Sequence, residues 1–148
     1  MQRATYSYSA GGVVVNRETG DIVVVSQPNN VWSLPKGTIE SDEDPLVTAK
    51  REILEESGVT EVELVKELGK YKRFRIGQYA SDDESVIKDI RMYLFLTDQE
   101  FLKPIDPKHK EARWVSRFEV PKLLTHEKDK AFFKGIMSEL PPIPTTDE

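Results

Sequence analysis

From Thr5 to Val15 β-branched and aromatic residues predominate, the polar run RETGD at 17–21 interrupts them, and IVVVS resumes the pattern. Two extended runs divided by a turn-forming segment predict a β-hairpin. The following QPNNVWSLPKGTIESDED brings Pro, Gly and Asn close together, which predicts an irregular loop around a short extended piece. The period then changes. Leu46, Ala49 and Ile53 recur at helical intervals, Asp44 followed by Pro45 reads as an N-cap and first helical position, and Gly58 stands where a left-handed residue would close the last turn. A helix is expected from Pro45 to Ser57.

Beyond it, VELVKEL and KYKRFRI read as extended segments, QYASDDES as a polar loop, SVIKDIRMYLFLT as a strand of mixed alternation, and KPIDPKHK as a further loop. EARWVS predicts a short strand. FEVPKLLT and HEKDKAFFKGIMSEL carry helical spacing, the second with Phe132, Phe133, Ile136 and Leu140 on its apolar side. Strands with one central and one C-terminal helix predict an α/β fold, helices packing on both faces of a mixed sheet. A single domain over residues 1–140 and a short frayed tail over 141–148 are expected.

Composition narrows the function more than the fold. A chain of 148 residues suits one ordinary domain. Its 21 Lys and Arg against 26 Asp and Glu give a net charge of −5, which argues against a general nucleic-acid coat or an anionic membrane surface as partner. Having no cysteine, it has no disulfide, thiolate metal site or cysteine nucleophile. With no apolar run near the length of a membrane span and no signal-peptide core, a soluble cytoplasmic protein, monomer or homodimer, is the expectation.

The stretch REILEESG poses an electrostatic question. At about 100° per residue, Glu55 lies roughly 60° to one side of Glu52 and Glu56 roughly 40° to the other, so the three carboxylates share one arc and converge. Leu46, Ala49 and Ile53 lie beside that arc, with Val47 and Leu54 farther round, which predicts burial on more than one side of the helix. A solvated acidic face would answer the question. So would a hard divalent cation, Mg²⁺ or Mn²⁺, held by carboxylates while substrate phosphates complete its shell.

From Gly37 to Val59 the chain reads GTIESDEDPLVTAKREILEESGV. Gly37, Glu43, Arg51, Glu52, Ile53, Glu55, Glu56, Gly58 and Val59 stand at the spacing of the Nudix signature box, and the segment resembles the Nudix hydrolase family. The resemblance implies an α/β/α sandwich and metal-dependent cleavage of a phosphoanhydride in a nucleoside diphosphate derivative. It implies Glu52, Glu55, Glu56 and the Gly37 carbonyl as metal ligands, Glu52 as a candidate water-activating base, and Arg51 and Glu43 as residues that orient them, with Gly58 closing the helix. Read singly, Gly37 is also a turn glycine after Pro35 and Arg51 a surface partner of Glu55.

VWSLPKGTIE, IKDIRMYLFL and LLTHEKDKAFFKGI resemble most the branch that cleaves dinucleoside polyphosphates such as diadenosine tetraphosphate. That likeness implies Lys88 near the phosphates and His126 where an aromatic ring stacks on adenine; an edge-strand lysine and a helix-start residue are the plainer readings. Lys36, Lys70, Lys72, Arg73 and Arg75 form a basic group suited to a polyanionic substrate, Lys36 and Arg73 being taken as substrate-binding. YKRFR interleaves aromatic and cationic side chains, as single-stranded nucleic-acid surfaces do, which leaves a capped-RNA or oligonucleotide substrate open; but Lys72 and Phe74 face one way on a strand while Tyr71, Arg73 and Arg75 face the other, so no single stacking platform follows from it.

Glu111 is expected as an additional base or ligand, with Glu84 as competitor; Trp114 reads as core, and Trp32 as either core or platform. Nucleoside triphosphates, ADP-ribose and diphosphoinositol phosphates remain alternative substrates. A Nudix-fold sensor without turnover is the alternative of another class.

Overall fold

The computed structural model describes residues 3–108 and 111–145. Seven strands form one mixed sheet among them: β1 (Thr5–Asn16), β2 (Ile22–Gln27), β3 (Val31–Ser33), β4 (Lys36–Thr38), β5 (Glu63–Ile76), β6 (Asp82–Thr97) and β7 (Ala112–Val115). Three helices accompany it, α1 (Pro45–Ser57), α2 (Val120–Leu123) and α3 (Glu127–Ile136). The main strand order is β3-β2-β1-β6-β5, with β4 added to β1 and β7 to β2.

Alternation along β1 sets the layers. Val13 and Val15 join Ile22, Val24, Ile90, Met92 and Leu94 on one face, where Phe133, Ile136 and Leu140 cover them. Ala10 and Val14 join Val23, Val25 and Phe95 on the other, beneath Ala49 and Ile53 of α1. Burial on both faces explains why AGGVVV is a continuous small and apolar run without polar alternation. Gly12 lets α1 come close: a Cβ there would lie 2.6 Å from the Phe95 ring and 2.9 Å from Ile53 Cδ1. The result is the expected α/β/α sandwich around a mixed sheet.

The expected hairpin is present, closing at Val15 opposite Ile22. The boundaries of α1 follow its local signals. Asp44 Oδ1 accepts the Leu46 N–H at 2.8 Å, Pro45 takes the first position, and Gly58, at φ 79°, donates its N–H to the Leu54 carbonyl.

Five expectations need correction. QYASDDES is a loop only as far as Ser81, because β6 already begins at Asp82, paired with Ile76. VELVKEL and KYKRFRI form one strand, β5, because bulges in its pairing with β6, one of them at Gly69 with φ 111°, absorb the irregular pattern. The loop before α1 holds two short strands rather than one extended piece. FEVPKLLT makes a single turn of helix, since Thr125 then turns to β3, its N–H donating to the Trp32 carbonyl and its hydroxyl accepting the Trp32 N–H. Val47 is 56% exposed, so α1 is buried along one side only. His109 and Lys110 of the KPIDPKHK loop, and residues 146–148 of the expected tail, lie outside the described residues.

Candidate functional site

β4 brings the loop before α1 onto the free edge of β1, pairing Gly37 with Ala10. A Cβ on Gly37 would fall 2.1 Å from the Glu52 carboxyl carbon, so only a bare backbone leaves room for that carboxylate. Arg51 grips the same region. Its Nε donates to Glu43 Oε2 at 2.8 Å and its Nη2 to Glu43 Oε1 at 2.9 Å, a fork-to-carboxylate pair, while Nη2 also reaches the Thr38 carbonyl at 3.2 Å. The Arg51 hydrogen bonds, followed by that of Thr48, pull the Glu43 carboxyl down to about 2. Thr48 Oγ1 lies 2.6 Å from Glu43 Oε1. It was not anticipated, because only the fold shows that this hydroxyl faces the loop.

The three glutamates divide their tasks in this structure. Arg51 Nη1 stands between Glu52, at 2.9 Å, and Glu55, at 3.4 Å. Glu56 turns inward, 4% exposed, and accepts the Lys36 backbone N–H at 3.2 Å. Burial pushes its carboxyl well above the usual range; the Lys36 charge opposes that rise and the Glu52 charge adds to it. Lys36 is itself buried, which brings its ammonium down to about 8 although Asp129 partly offsets the effect.

Asp129 was the other residue missed. It is 1% exposed on α3, and Oδ1 accepts both the Tyr71 hydroxyl at 2.5 Å and Arg73 Nε at 2.8 Å. Burial favours its neutral form, but Lys36 and then Arg73 outweigh it, so the carboxyl lies below the ordinary value. Its place on the apolar stripe, four residues before Phe133 and seven before Ile136, was the available signal. Arg73 was expected at the substrate. It is 6% exposed and bonded to Asp129 and to the Phe74 carbonyl, because it shares the inner face of β5 with Tyr71.

Lys88 lies opposite Arg73 on β6 and shares its face; burial first, then Arg73 and Arg75, lower its ammonium below the ordinary lysine value. His126 caps α3, Nδ1 accepting the Lys128 N–H at 3.0 Å and Nε2 meeting Asp82 Oδ1 at 2.9 Å. With its side chain only 10% exposed, it is held edge-on to its partners. It borders a cavity of about 320 Å³ together with Tyr6, Lys72, Arg73, Phe74 and Ile87, so Arg73 still reaches a space open to a ligand.

Glu111 is exposed and bonded to Arg113 Nε at 2.7 Å, and that bond holds its carboxyl below the usual range. Trp114 is half-buried against the α1 side of the core, its Nε1 donating to the Glu100 carbonyl, and Arg113 lies over the Trp32 ring at 4.6 Å.

Glu52, Glu55, Glu56 and the Gly37 carbonyl are all oxygen donors, the set a hard divalent cation takes. Among the described residues no three acidic or histidine side chains are gathered closely enough to hold an ion, as the Arg51 contacts to Glu52 and Glu55 and the inward turn of Glu56 require. The donor chemistry fits nonetheless. A raised buried carboxyl beside a second carboxylate, with a glycine cradle facing them, is an arrangement that a cation would stabilise.

A NUDIX domain model matches residues 5–135 of the chain. Nudix hydrolase 4 of Arabidopsis thaliana is 38% identical over 95 residues, which cover 64% of this chain and 42% of that protein. An RNA pyrophosphohydrolase of Pelagibacter ubique is 26% identical over 117 residues, covering 71% of this chain and 73% of that one. A solved Caenorhabditis elegans Ap4A hydrolase binary complex superposes with a TM-score of 0.74 at 17% identity, covering 90% of this chain and 97% of that one. The match spans less than half the length of the plant relative, and the structural likeness is one of fold.

Proposed function

The chain belongs to the NUDIX family, and from that premise we propose that it hydrolyses a phosphoanhydride bond in a nucleoside diphosphate derivative, with diadenosine tetraphosphate cleaved to ATP and AMP. The observation that carries the reading is Glu56, a carboxylate buried beside Glu52 and tied to the Lys36 backbone at 3.2 Å. A buried carboxyl beside a half-buried second one, next to a strand that only glycine permits, suits a site for binding cations rather than a solvated face.

Glu52, Glu55, Glu56 and the Gly37 carbonyl would hold Mg²⁺ or Mn²⁺. When bound, such a cation offsets the charge of the phosphate oxygens and lowers the pKa of the attacking water. The chain's own residues supply the rest. Arg51, fixed by Glu43, which Thr48 holds in turn, sets the direction of Glu52, which takes the proton of the attacking water. The water oxygen bonds to phosphorus, the anhydride P–O bond breaks, and the second nucleotide departs.

Lys36 and Lys88 add positive charge to the polyphosphate side, and Arg73, whose charge lowers both ammonium groups, is held by Asp129. Glu111, with its proton affinity lowered by Arg113, is a weak base where it stands. The cavity bordered by Tyr6, Lys72, Phe74, Ile87 and His126 has room for a nucleobase.

The test is a panel of phosphoanhydrides with Mg²⁺, products identified by mass and the attacked phosphorus located by ¹⁸O from water. ATP and AMP from diadenosine tetraphosphate at the highest kcat/KM is the expected result. Preference for a mononucleotide, ADP-ribose or a 5′-triphosphorylated RNA would replace the substrate, and absence of turnover on the whole panel would leave a nucleotide sensor.

A further inference from the structure

Tyr6 borders the cavity beside His126, and Tyr8 follows it two residues on toward the carboxylates along β1. The two tyrosines are 51% and 56% exposed, and their rings stack with centroids 6.2 Å apart and planes 19° from parallel. Two large rings left open to water and already parallel to one another are unusual on a sheet face that elsewhere is covered by α1.

Register places them relative to the carboxylates. Tyr6, Tyr8 and Ala10 alternate to the same face of β1, the face on which α1 packs over Ala10. Ala10 is also the partner of Gly37, above which Glu52 sits. At about 3.4 Å per residue, Tyr8 therefore lies roughly 7 Å and Tyr6 roughly 14 Å along the strand from the Gly37 position. Tyr8 is joined to the loop strand as well, its carbonyl accepting the Ile39 N–H at 2.9 Å.

The neighbouring strands complete the surface. Tyr6 pairs across β6 with Ile87, which pairs with Phe74 of β5; Tyr8 pairs with Asp89, which pairs with Lys72. Lys72 Nζ stands 5.3 Å from the Tyr6 ring centroid, a cation held over an aromatic face. The two outward residues of YKRFR, which could not make a platform alone, acquire one from β1.

We propose that Tyr6 and Tyr8, with Lys72 beside them, form a stacking platform for a nucleobase of the substrate, the one carried on the far side of the cleaved phosphate chain. The inference rests on the reading of the substrate as a dinucleoside polyphosphate. Its occupant is argued from chemistry: parallel open rings take the π-face of a base, and the Lys72 charge takes a phosphate of the chain leading from the carboxylates. A ligand with one base has no need of it.

The experiment compares Tyr6→Ser and Tyr8→Ser with Tyr6→Phe and Tyr8→Phe. Each serine variant should raise KM for diadenosine tetraphosphate about ten- to a hundredfold, the range of one lost base stack, with kcat lowered less than threefold. The inhibition constant of ATP, a ligand with one base, should rise less than threefold, and the phenylalanine variants should stay within threefold of wild type throughout. Adenine proton shifts of diadenosine tetraphosphate, titrated without added metal, should move upfield with wild type and not with the serine variants.

KM and shifts within twofold of wild type in both serine variants would overturn the platform and leave the hydrolase reading standing. Upfield shifts lost in the serine variants, without turnover of the dinucleotide by wild type, would retain the platform and remove that reading. Loss of binding confined to a 5′-triphosphorylated oligonucleotide would overturn the dinucleotide as occupant.

Discussion

The Lys36 backbone N–H donates to Glu56 Oε1 at 3.2 Å, so the loop strand and the glutamate helix meet through a carboxylate that is 4% exposed. The same lysine places its ammonium in the field of Asp129 on α3. One residue of β4 thus links the helices on the two sides of the sheet, by its main chain on one side and its charge on the other.

Glu56→Gln preserves an oxygen for the Lys36 N–H and removes the negative charge. Hydrolysis should fall on the order of a thousandfold, equivalent to several kcal/mol of transition-state stabilisation. Thermal unfolding should shift by only a few degrees, and divalent-cation binding followed by calorimetry should weaken in parallel. Activity within tenfold of wild type would show that Glu56 is not part of the cation site.

Lys36 gives a pH dependence with two opposite signs. Its charge, held below about 8, is lost as the pH rises through that value, so kcat/KM for a polyphosphate should fall on the alkaline side with an apparent pKa near 8. Between about 8 and the ordinary 10.5 the unfolded chain binds the proton that the folded chain has released, so this residue's contribution to stability improves with pH. Lys36→Arg should move the alkaline limb of the rate profile upward. A profile identical to wild type in that variant would assign the limb to another group.

Gly37→Ala places a methyl group where the Glu52 carboxylate now lies. The side chain is free to swing away, so urea unfolding should change little. A misplacement of about an ångström at a reacting group costs on the order of a hundredfold in rate, and kcat should fall by that amount. An unaltered kcat would mean that Glu52 acts from some other position.

Asp129→Ala leaves the buried Arg73 guanidinium without its partner, and breaking a buried pair from one side costs about 3–5 kcal/mol. The urea midpoint should drop accordingly. Replacing both residues, as in Asp129→Leu with Arg73→Met, should restore much of the loss, because neither charge then has to be kept from water. If the single and double variants unfold at the same urea concentration, the two residues are not coupled.

What the sequence disclosed follows the range of the interactions concerned. The limits of α1 were legible because Asp44, Pro45 and Gly58 act within a turn of the helix ends. Continuity of β5 was hidden, since bulges at Gly69 and beyond Phe74 break the alternation that reading by pattern requires. The angular clustering of Glu52, Glu55 and Glu56 was correct as helix geometry, but the inward turn of Glu56 depends on a backbone N–H twenty residues earlier. Asp129 and Arg73 lie 56 residues apart and pair across two elements, and no local pattern joins them. The face shared by Lys72 and Tyr6 needed the register of three strands.

Every residue of β1 from Thr5 to Asn16 pairs with a β6 residue 81 positions later in the chain, from Val86 to Thr97. Parallel pairing at such separation must close a long loop before it gains any contact, and this slows folding relative to local contacts. The β1–β2 and β5–β6 pairs and α1 can form from neighbouring sequence, whereas the union of β1 with β6 has to close the longer loop. Tyr6 and Tyr8 meet Lys72 only through that pairing, so the proposed base platform depends on a contact between distant parts of the chain.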